Sequence, residues 1–84
     1  MKKITIYTGP SCNYCEAAKR LLKRNNASYN EINIGTVDGA MDEMIKKANG
    51  KRTIPQIFFD DHHIGGYDEI RALEKENKLL DLLK

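Results

Sequence analysis

The sequence predicts a single α/β domain, a four-stranded mixed sheet with helices on both faces in the order β-α-β-α-β-β-α. Three observations carry this. An alternating apolar stretch near the N-terminus is followed by a helical stripe and a second alternating stretch, which asks for two parallel strands joined by a right-handed crossover. Two short apolar stretches near the C-terminus flank Asp60-Asp61, which reads as an antiparallel hairpin. Finally, 84 residues suffice for one small domain and for no second core.

The first strand is Lys3–Tyr7, where Ile4 and Ile6 alternate with polar neighbours before Gly9-Pro10. Ser11 and Cys12 then open a helix that runs to about Asn25. Its apolar stripe is Cys15, Ala18, Leu21 and Leu22. Lys19, Arg20, Lys23 and Arg24 gather in its C-terminal half, where the helix dipole favours cations, and they read as a solvated face. Asn25-Asn26 ends it. The second strand is Tyr29–Ile34, broken by Gly35.

Met41, Met44, Ile45 and Ala48 follow at helical spacing, with Asp38 as the expected N-cap, Gly50 as the C-terminal cap and both methionines as core filler. Thr53-Ile54-Pro55 leads into an apolar strand, Gln56–Phe59, and the hairpin returns through His63-Ile64. Beyond Gly65-Gly66 a helix runs from about Asp68 through Glu76, with Ile70 and Leu73 on its inner face. Leu79, Leu80, Leu82 and Leu83 form a last helical turn over the core.

Composition narrows the function. The chain is 40% hydrophobic and 31% charged, and its 14 basic and 12 acidic side chains leave a net charge of +2. Such a balance gives no footing for nucleic acid or an anionic membrane as the main partner. No apolar run is long enough to span a bilayer or to act as a signal peptide, so the chain is expected in the cytoplasm.

A reducing compartment does not favour the two cysteines, Cys12 and Cys15, as a structural staple. Bridging so short a loop stabilises by about 2 kcal/mol at most. Their placement suggests chemistry instead, because a C-x-x-C between a strand and a helix matches a thioredoxin-like redox motif. Cys12 sits at the helix N-terminus, where unpaired N–H groups and the dipole favour a thiolate. Cys15 lies one turn deeper on the same face and is placed to resolve a mixed disulfide. Two plainer readings remain, a pair of inert core thiols and half of a zinc site. The helix-start position weighs against the first. The second lacks another C-x-x-C or an H-x₃₋₅-H pair, and the adjacent His62 and His63 point to opposite faces of a strand.

Tyr7-Thr8, Cys12-Asn13-Tyr14-Cys15, Thr53-Ile54-Pro55-Gln56-Ile57-Phe58 and Ile64-Gly65-Gly66-Tyr67-Asp68 together resemble the dithiol glutaredoxins, small bacterial members above all, across essentially the whole of residues 1–84. The resemblance implies a thioredoxin-like fold and a glutathione-dependent oxidoreductase acting on protein disulfides and glutathione mixed disulfides. Cys12 is then the nucleophile and Cys15 the resolving thiol. Ile54, before a cis Pro55, would pair its backbone with the cysteine of glutathione, flanked by Thr53 and faced by Tyr14. Gly66, Tyr67 and Asp68 would hold the γ-glutamyl α-carboxylate and α-amino group. Taken singly, Pro55, Gly65-Gly66 and Asp68 also fit an edge strand, a turn and an N-cap.

Two positions depart from the family pattern. Asn13 replaces the usual proline after the first cysteine, and Gly9 replaces a common lysine, leaving Arg52 and then Lys51 as substitutes for a glutathione carboxylate contact. The resemblance further implies a monomer whose partners are glutathione and disulfide-containing or glutathionylated proteins, with no metal. Two alternatives stand beside it: a glutathione-ligated 2Fe–2S dimer, which Asn13 favours, and a redoxin reduced by thioredoxin reductase.

Overall fold

A computed structural model describes all residues, 1–84. The chain forms β1 (Ile4–Thr8), α1 (Asn13–Arg24), β2 (Tyr29–Asn33), α2 (Ala40–Lys47), β3 (Gln56–Phe59), β4 (His62–Gly65), α3 (Tyr67–Lys75) and α4 (Leu79–Leu83). The sheet order is β2-β1-β3-β4. β1 and β2 are parallel, with Ile4 opposite Tyr29, while β1–β3 and β3–β4 are antiparallel. This is the α/β architecture that the hydrophobic periodicities predict.

Alternation along β1 splits the core between the two faces of the sheet. Ile4 and Ile6 join Ala18, Leu21, Leu22, Ile57, Phe59, Ile70, Leu79 and Leu83 in the larger cluster, under α1, α3 and α4. Tyr7 and Phe58 point the other way and pack with Met44 of α2 and Ala48 at its C-cap. The Tyr7 and Phe58 rings meet edge to face, their centroids 5.6 Å apart. The Tyr7 hydroxyl donates to Glu43 Oε1 at 2.7 Å, which ties β1 to the first half of α2.

The three longer helices end in the same way. Asn26, Asn49 and Asn77 each adopt a left-handed φ one residue past the cap. The following amide of Ala27, Gly50 or Lys78 donates back to Leu22, Ile45 or Leu73, at 2.9, 2.8 and 2.9 Å respectively. This is the Schellman closure, with asparagine at the position glycine most often fills. At α2 the left-handed cap residue is therefore Asn49, and Gly50 supplies the amide behind it.

Two further expectations for α2 are corrected. Its N-cap is Gly39, with φ of 76°, and no side chain caps that end, so Asp38 stays outside the helix. The buried positions here are Ala40, Met44 and, at the C-cap, Ala48, a strict four-residue row. Met41 is turned outward and is 41% exposed, so only Met44 is core filler. In α4, Leu79 and Leu83 are buried while Leu80 and Leu82 face out.

Far from the cysteines, α1 is clamped to α3. Arg24 donates twice to Glu74, from Nε at 2.9 Å and from the other end of its guanidinium at 2.6 Å, and the Asn25 amide adds a third bond at 2.7 Å. These bonds, the Arg24 contact foremost, hold the Glu74 carboxyl down at about 2, against an ordinary value of 4.5. Because the folded value lies below the unfolded one, the stabilisation is present above about pH 4.5 and is lost as pH falls through about 2. Glu74→Gln should accordingly lower the thermal midpoint at neutral pH, with the gap to wild type closing in acid. Midpoints measured across that range check it. In the larger cluster, Leu21→Ala should cost about 2–5 kcal/mol, seen as a fall of roughly 10 °C or more in the unfolding midpoint.

Candidate active site

Cys12 is the N-cap of α1, in extended conformation at φ −110° and ψ 104°, and Ser11 before it turns through a left-handed φ of 53°. The helix expected to open at Ser11 therefore opens after Cys12. This placement makes the sulfur itself the capping group. Cys12 Sγ accepts the Cys15 backbone N–H at 3.1 Å, in the manner of a serine or aspartate N-cap. Asn13 at the first helical position keeps the backbone N–H that a proline would lack. Cys12 is half-buried, whereas Cys15 is only 1% exposed among the apolar residues of α1. The two are joined by a disulfide, their Cα atoms 5.2 Å apart.

The Ile54-Pro55 peptide bond is cis, and the Ile54 carbonyl oxygen lies 4.0 Å from Cys12 Sγ. Beside it runs a groove of about 240 Å³, walled by Tyr14, Thr53, Ile54, Pro55, Gly66, Tyr67, Asp68 and Glu69. Three separate segments meet here: the first turn of α1, the loop before β3 and the start of α3. The Tyr14 and Tyr67 rings lean together, centroids 5.9 Å apart and planes at 34°. Tyr14 is 63% exposed, so it projects over the groove rather than closing it.

The start of α3 is shaped by two glycines. Gly66 is the N-cap, and a Cβ there would stand 3.2 Å from the Pro55 carbonyl oxygen, so the helix start lies close against the loop before β3. Gly65, at φ 126°, leaves the room in which Glu69 bends back. Glu69 Oε1 accepts the Gly66 N–H at 2.6 Å, half of a capping box. Asp68 sits inside the first turn, not at the cap. The remaining amides of this turn, at the positive end of the helix dipole, are suited to an anion.

Seven of the residues singled out from the sequence thus line one groove, and Arg52 does not line it. Glu69 was missed. Its signal was the spacing Gly66-x-x-Glu69, a capping-box pattern that any helix start can carry. Gly9 also acquires a structural reason. A Cβ there would lie 2.6 Å from Ile54 Cδ1, so the Ile54 side chain occupies the space a side chain at position 9 would need.

Lys19, one turn beyond Cys15, brings little free charge to the sulfurs. Its Nζ lies 2.7 Å from Glu16 and 3.2 Å from Glu31, and these hydrogen bonds, Glu16 first, raise its pKa. Glu31 also accepts the buried Thr8 hydroxyl at 2.7 Å, and that bond is the main reason its own pKa is lowered. No three His, Cys, Asp or Glu side chains come together in a metal-binding group. No helix is long and apolar enough to cross a membrane.

The sequence model of the family described as Glutaredoxin matches residues 4–64. A probable glutaredoxin of Synechocystis is 48% identical over 81 residues, covering 96% of this chain and 92% of that protein. The solution structure of a glutaredoxin from Brucella melitensis superposes with a TM-score of 0.85 at 45% identity, covering 100% of this chain and 90% of that one. A buckwheat glutaredoxin–glutathione complex reaches a TM-score of 0.86 at 26% identity, over 98% of this chain and 76% of the other.

The unequal surroundings of the two sulfurs yield a prediction for the reduced protein. Cys12 should ionise well below the ordinary thiol value of about 8.5, and Cys15 at or above it. At neutral pH, iodoacetamide should modify Cys12 in a Cys15→Ser variant on the order of ten times faster than it modifies Cys15 in a Cys12→Ser variant. Equal rates would show that the capping amide does not favour the thiolate.

Proposed function

The chain belongs to the glutaredoxin family, with the thiol oxidoreductase activity that membership implies, and we propose that it is a glutathione-dependent disulfide reductase that also removes glutathione from protein mixed disulfides. The observation that carries this reading is the position of Cys12 Sγ. It caps α1 while lying within 4.0 Å of the Ile54 carbonyl, at the edge of the groove. The buckwheat relative of the same fold is a glutathione complex.

In this reading the groove holds glutathione as an extended peptide. Its cysteine backbone runs antiparallel to Ile54, and Thr53 and Pro55 continue that wall. Tyr14 and Tyr67 cover the apolar parts of the ligand. The γ-glutamyl carboxylate meets the first-turn amides of α3, as an anion at a helix N-terminus does, and Asp68 accepts from the α-ammonium group. Arg52, outside the groove wall, contributes through its positive charge alone.

The chemistry is thiol–disulfide exchange. The Cys12 thiolate attacks the glutathione sulfur of a protein–glutathione disulfide. A Cys12–glutathione bond forms, and the protein thiolate leaves with the electron pair of the broken S–S bond. The thiolate of a second glutathione then attacks the bound glutathione sulfur, releasing oxidised glutathione and regenerating the Cys12 thiolate. On a protein disulfide, Cys12 first forms a mixed disulfide with the substrate. The Cys15 sulfur then attacks Cys12 Sγ, the substrate sulfur leaves with the electron pair of the broken S–S bond and takes up the Cys15 proton, and the Cys12–Cys15 disulfide seen in the structure remains. Two glutathiones reverse that bond in succession. The Cys15 N–H donates to the Cys12 sulfur, and so stabilises its thiolate before it attacks and again when glutathione releases it.

Coupled turnover with glutathione, glutathione reductase and a small glutathione mixed disulfide tests this. Cys15→Ser should retain most of the activity, because the monothiol route bypasses Cys15, and Cys12→Ser should abolish it. With a protein disulfide as substrate, both variants should fail. Absence of glutathione-supported turnover, with turnover restored by thioredoxin reductase, would replace this reading.

A further inference from the structure

Gln56 is a buried amide that the exchange steps above do not use. It is 2% exposed, and its hydrogen bonds fix its orientation. Nε2 donates to the Thr53 carbonyl oxygen at 3.0 Å and lies 3.1 Å from Thr53 Oγ1. A carbonyl oxygen only accepts, so the NH₂ end must face Thr53 and Oε1 must face away. Oε1 lies 2.7 Å from Nε2 of His63. Since Oε1 cannot donate, His63 must carry a proton on Nε2.

The donor end of this chain is itself held in place. The half-buried His63 ring lies over Phe58, with centroids 5.0 Å apart and planes at 32°. His63 is opposite Phe58 in the β3–β4 pairing, whose register shifts between Ile57 and Phe58. Gln56 is two residues before Phe58 on the same face, a diagonal neighbour within reach of a long side chain. Burial chiefly, with Lys51 and His62 adding to it against Glu69, lowers the His63 pKa, so the neutral ring protonated on Nε2 is the donor near neutral pH.

We propose that His63 and Gln56 are positioning residues for the thiol-binding groove. His63 fixes which way the Gln56 amide faces, and Gln56 in turn anchors Thr53 in the groove wall, next to the Ile54 backbone that faces Cys12. Without the His63 donor, Gln56 Oε1 is left buried and unpaired, and the amide gains by turning toward another donor and giving up its hold on the Thr53 carbonyl. Neither side chain lines the groove, so they act through Thr53. The inference rests on the groove being the glutathione site.

The test uses His63→Phe, which keeps the ring over Phe58 but removes the donor, Gln56→Leu, which removes both ends of the chain, and the double variant. Under saturating glutathione, KM for the small glutathione mixed disulfide, whose glutathionyl part occupies the groove, should rise roughly 5- to 10-fold in each single variant, the cost of one ordinary hydrogen bond. The double variant should be no worse than Gln56→Leu, because the two residues act in series. Alkylation of Cys12 and kcat should not change. NMR of the ligand-free protein supplies a readout independent of glutathione: the Thr53 and Ile54 amide resonances should move in His63→Phe.

Unchanged KM, a kcat and alkylation loss without a KM effect, additive effects in the double variant, or unmoved Thr53 and Ile54 resonances would each overturn the proposal. Should Gln56→Leu not fold, His63→Phe decides alone. Should the wild-type protein show no glutathione turnover, the glutathione reading falls, and the resonances still decide whether the two residues position Thr53.

Discussion

Ala18, Leu21 and Leu22 of α1 are fully buried against Ile4 and Ile6 of β1 and Ile57 and Phe59 of β3, and this seating of helix on sheet sets everything at the site. Of the order of 25 cal/mol is gained for each square ångström of apolar surface so removed from water, and several large side chains contribute. Because β1 feeds directly into α1, the packing leaves the start of the helix at the end of the strand, with only Gly9-Pro10-Ser11-Cys12 between them. The Arg24–Glu74 clamp then holds the other end of α1 against α3. A reactive sulfur at a helix N-terminus thus follows from burying a stripe of leucines.

The same geometry separates two chemically identical side chains. Cys12 meets the unpaired amides of the first turn, and one of them points at its sulfur. Cys15, three residues on, lies inside the stripe, where a charge would be desolvated. Nearby lysine charge adds little, since Lys19 is held between Glu16 and Glu31. The asymmetry between the cysteines comes from backbone dipoles and burial, with no dedicated acid or base required.

The groove is assembled from surfaces that fit only because several positions are small. Gly66 allows α3 to start against the Pro55 carbonyl, Gly65 gives Glu69 the room to cap it, and Gly9 makes space for Ile54. Behind the wall, Gln56 and His63 extend the arrangement into the β3–β4 hairpin. A binding surface made from a loop and two helix starts gains its rigidity from the elements beneath it.

Periodicity alone specified the strands and helices, because a two-residue or three-to-four-residue apolar repeat is a local property with one economical way to be buried. The place of Cys15 in the apolar stripe likewise determined which thiol is the more buried, and the motif segments carried the expectation that Tyr14, Thr53–Pro55 and Gly66–Asp68 would share a site. What the sequence left open depended on facts that no single window holds. Gly39 caps α2 in place of Asp38, and Ala40 faces the core in place of Met41, both set by how the helix meets the sheet. Arg52 stayed off the groove wall and Glu69 joined it, because the line of that wall is drawn by the approach of α3 to Pro55. His63 read as a hairpin residue until strand pairing brought it to the amide of Gln56. Local repeats decide which face of each element is buried. Only the packed structure decides which polar atoms then come within hydrogen-bond distance, because that depends on registers and helix ends set by the whole core at once.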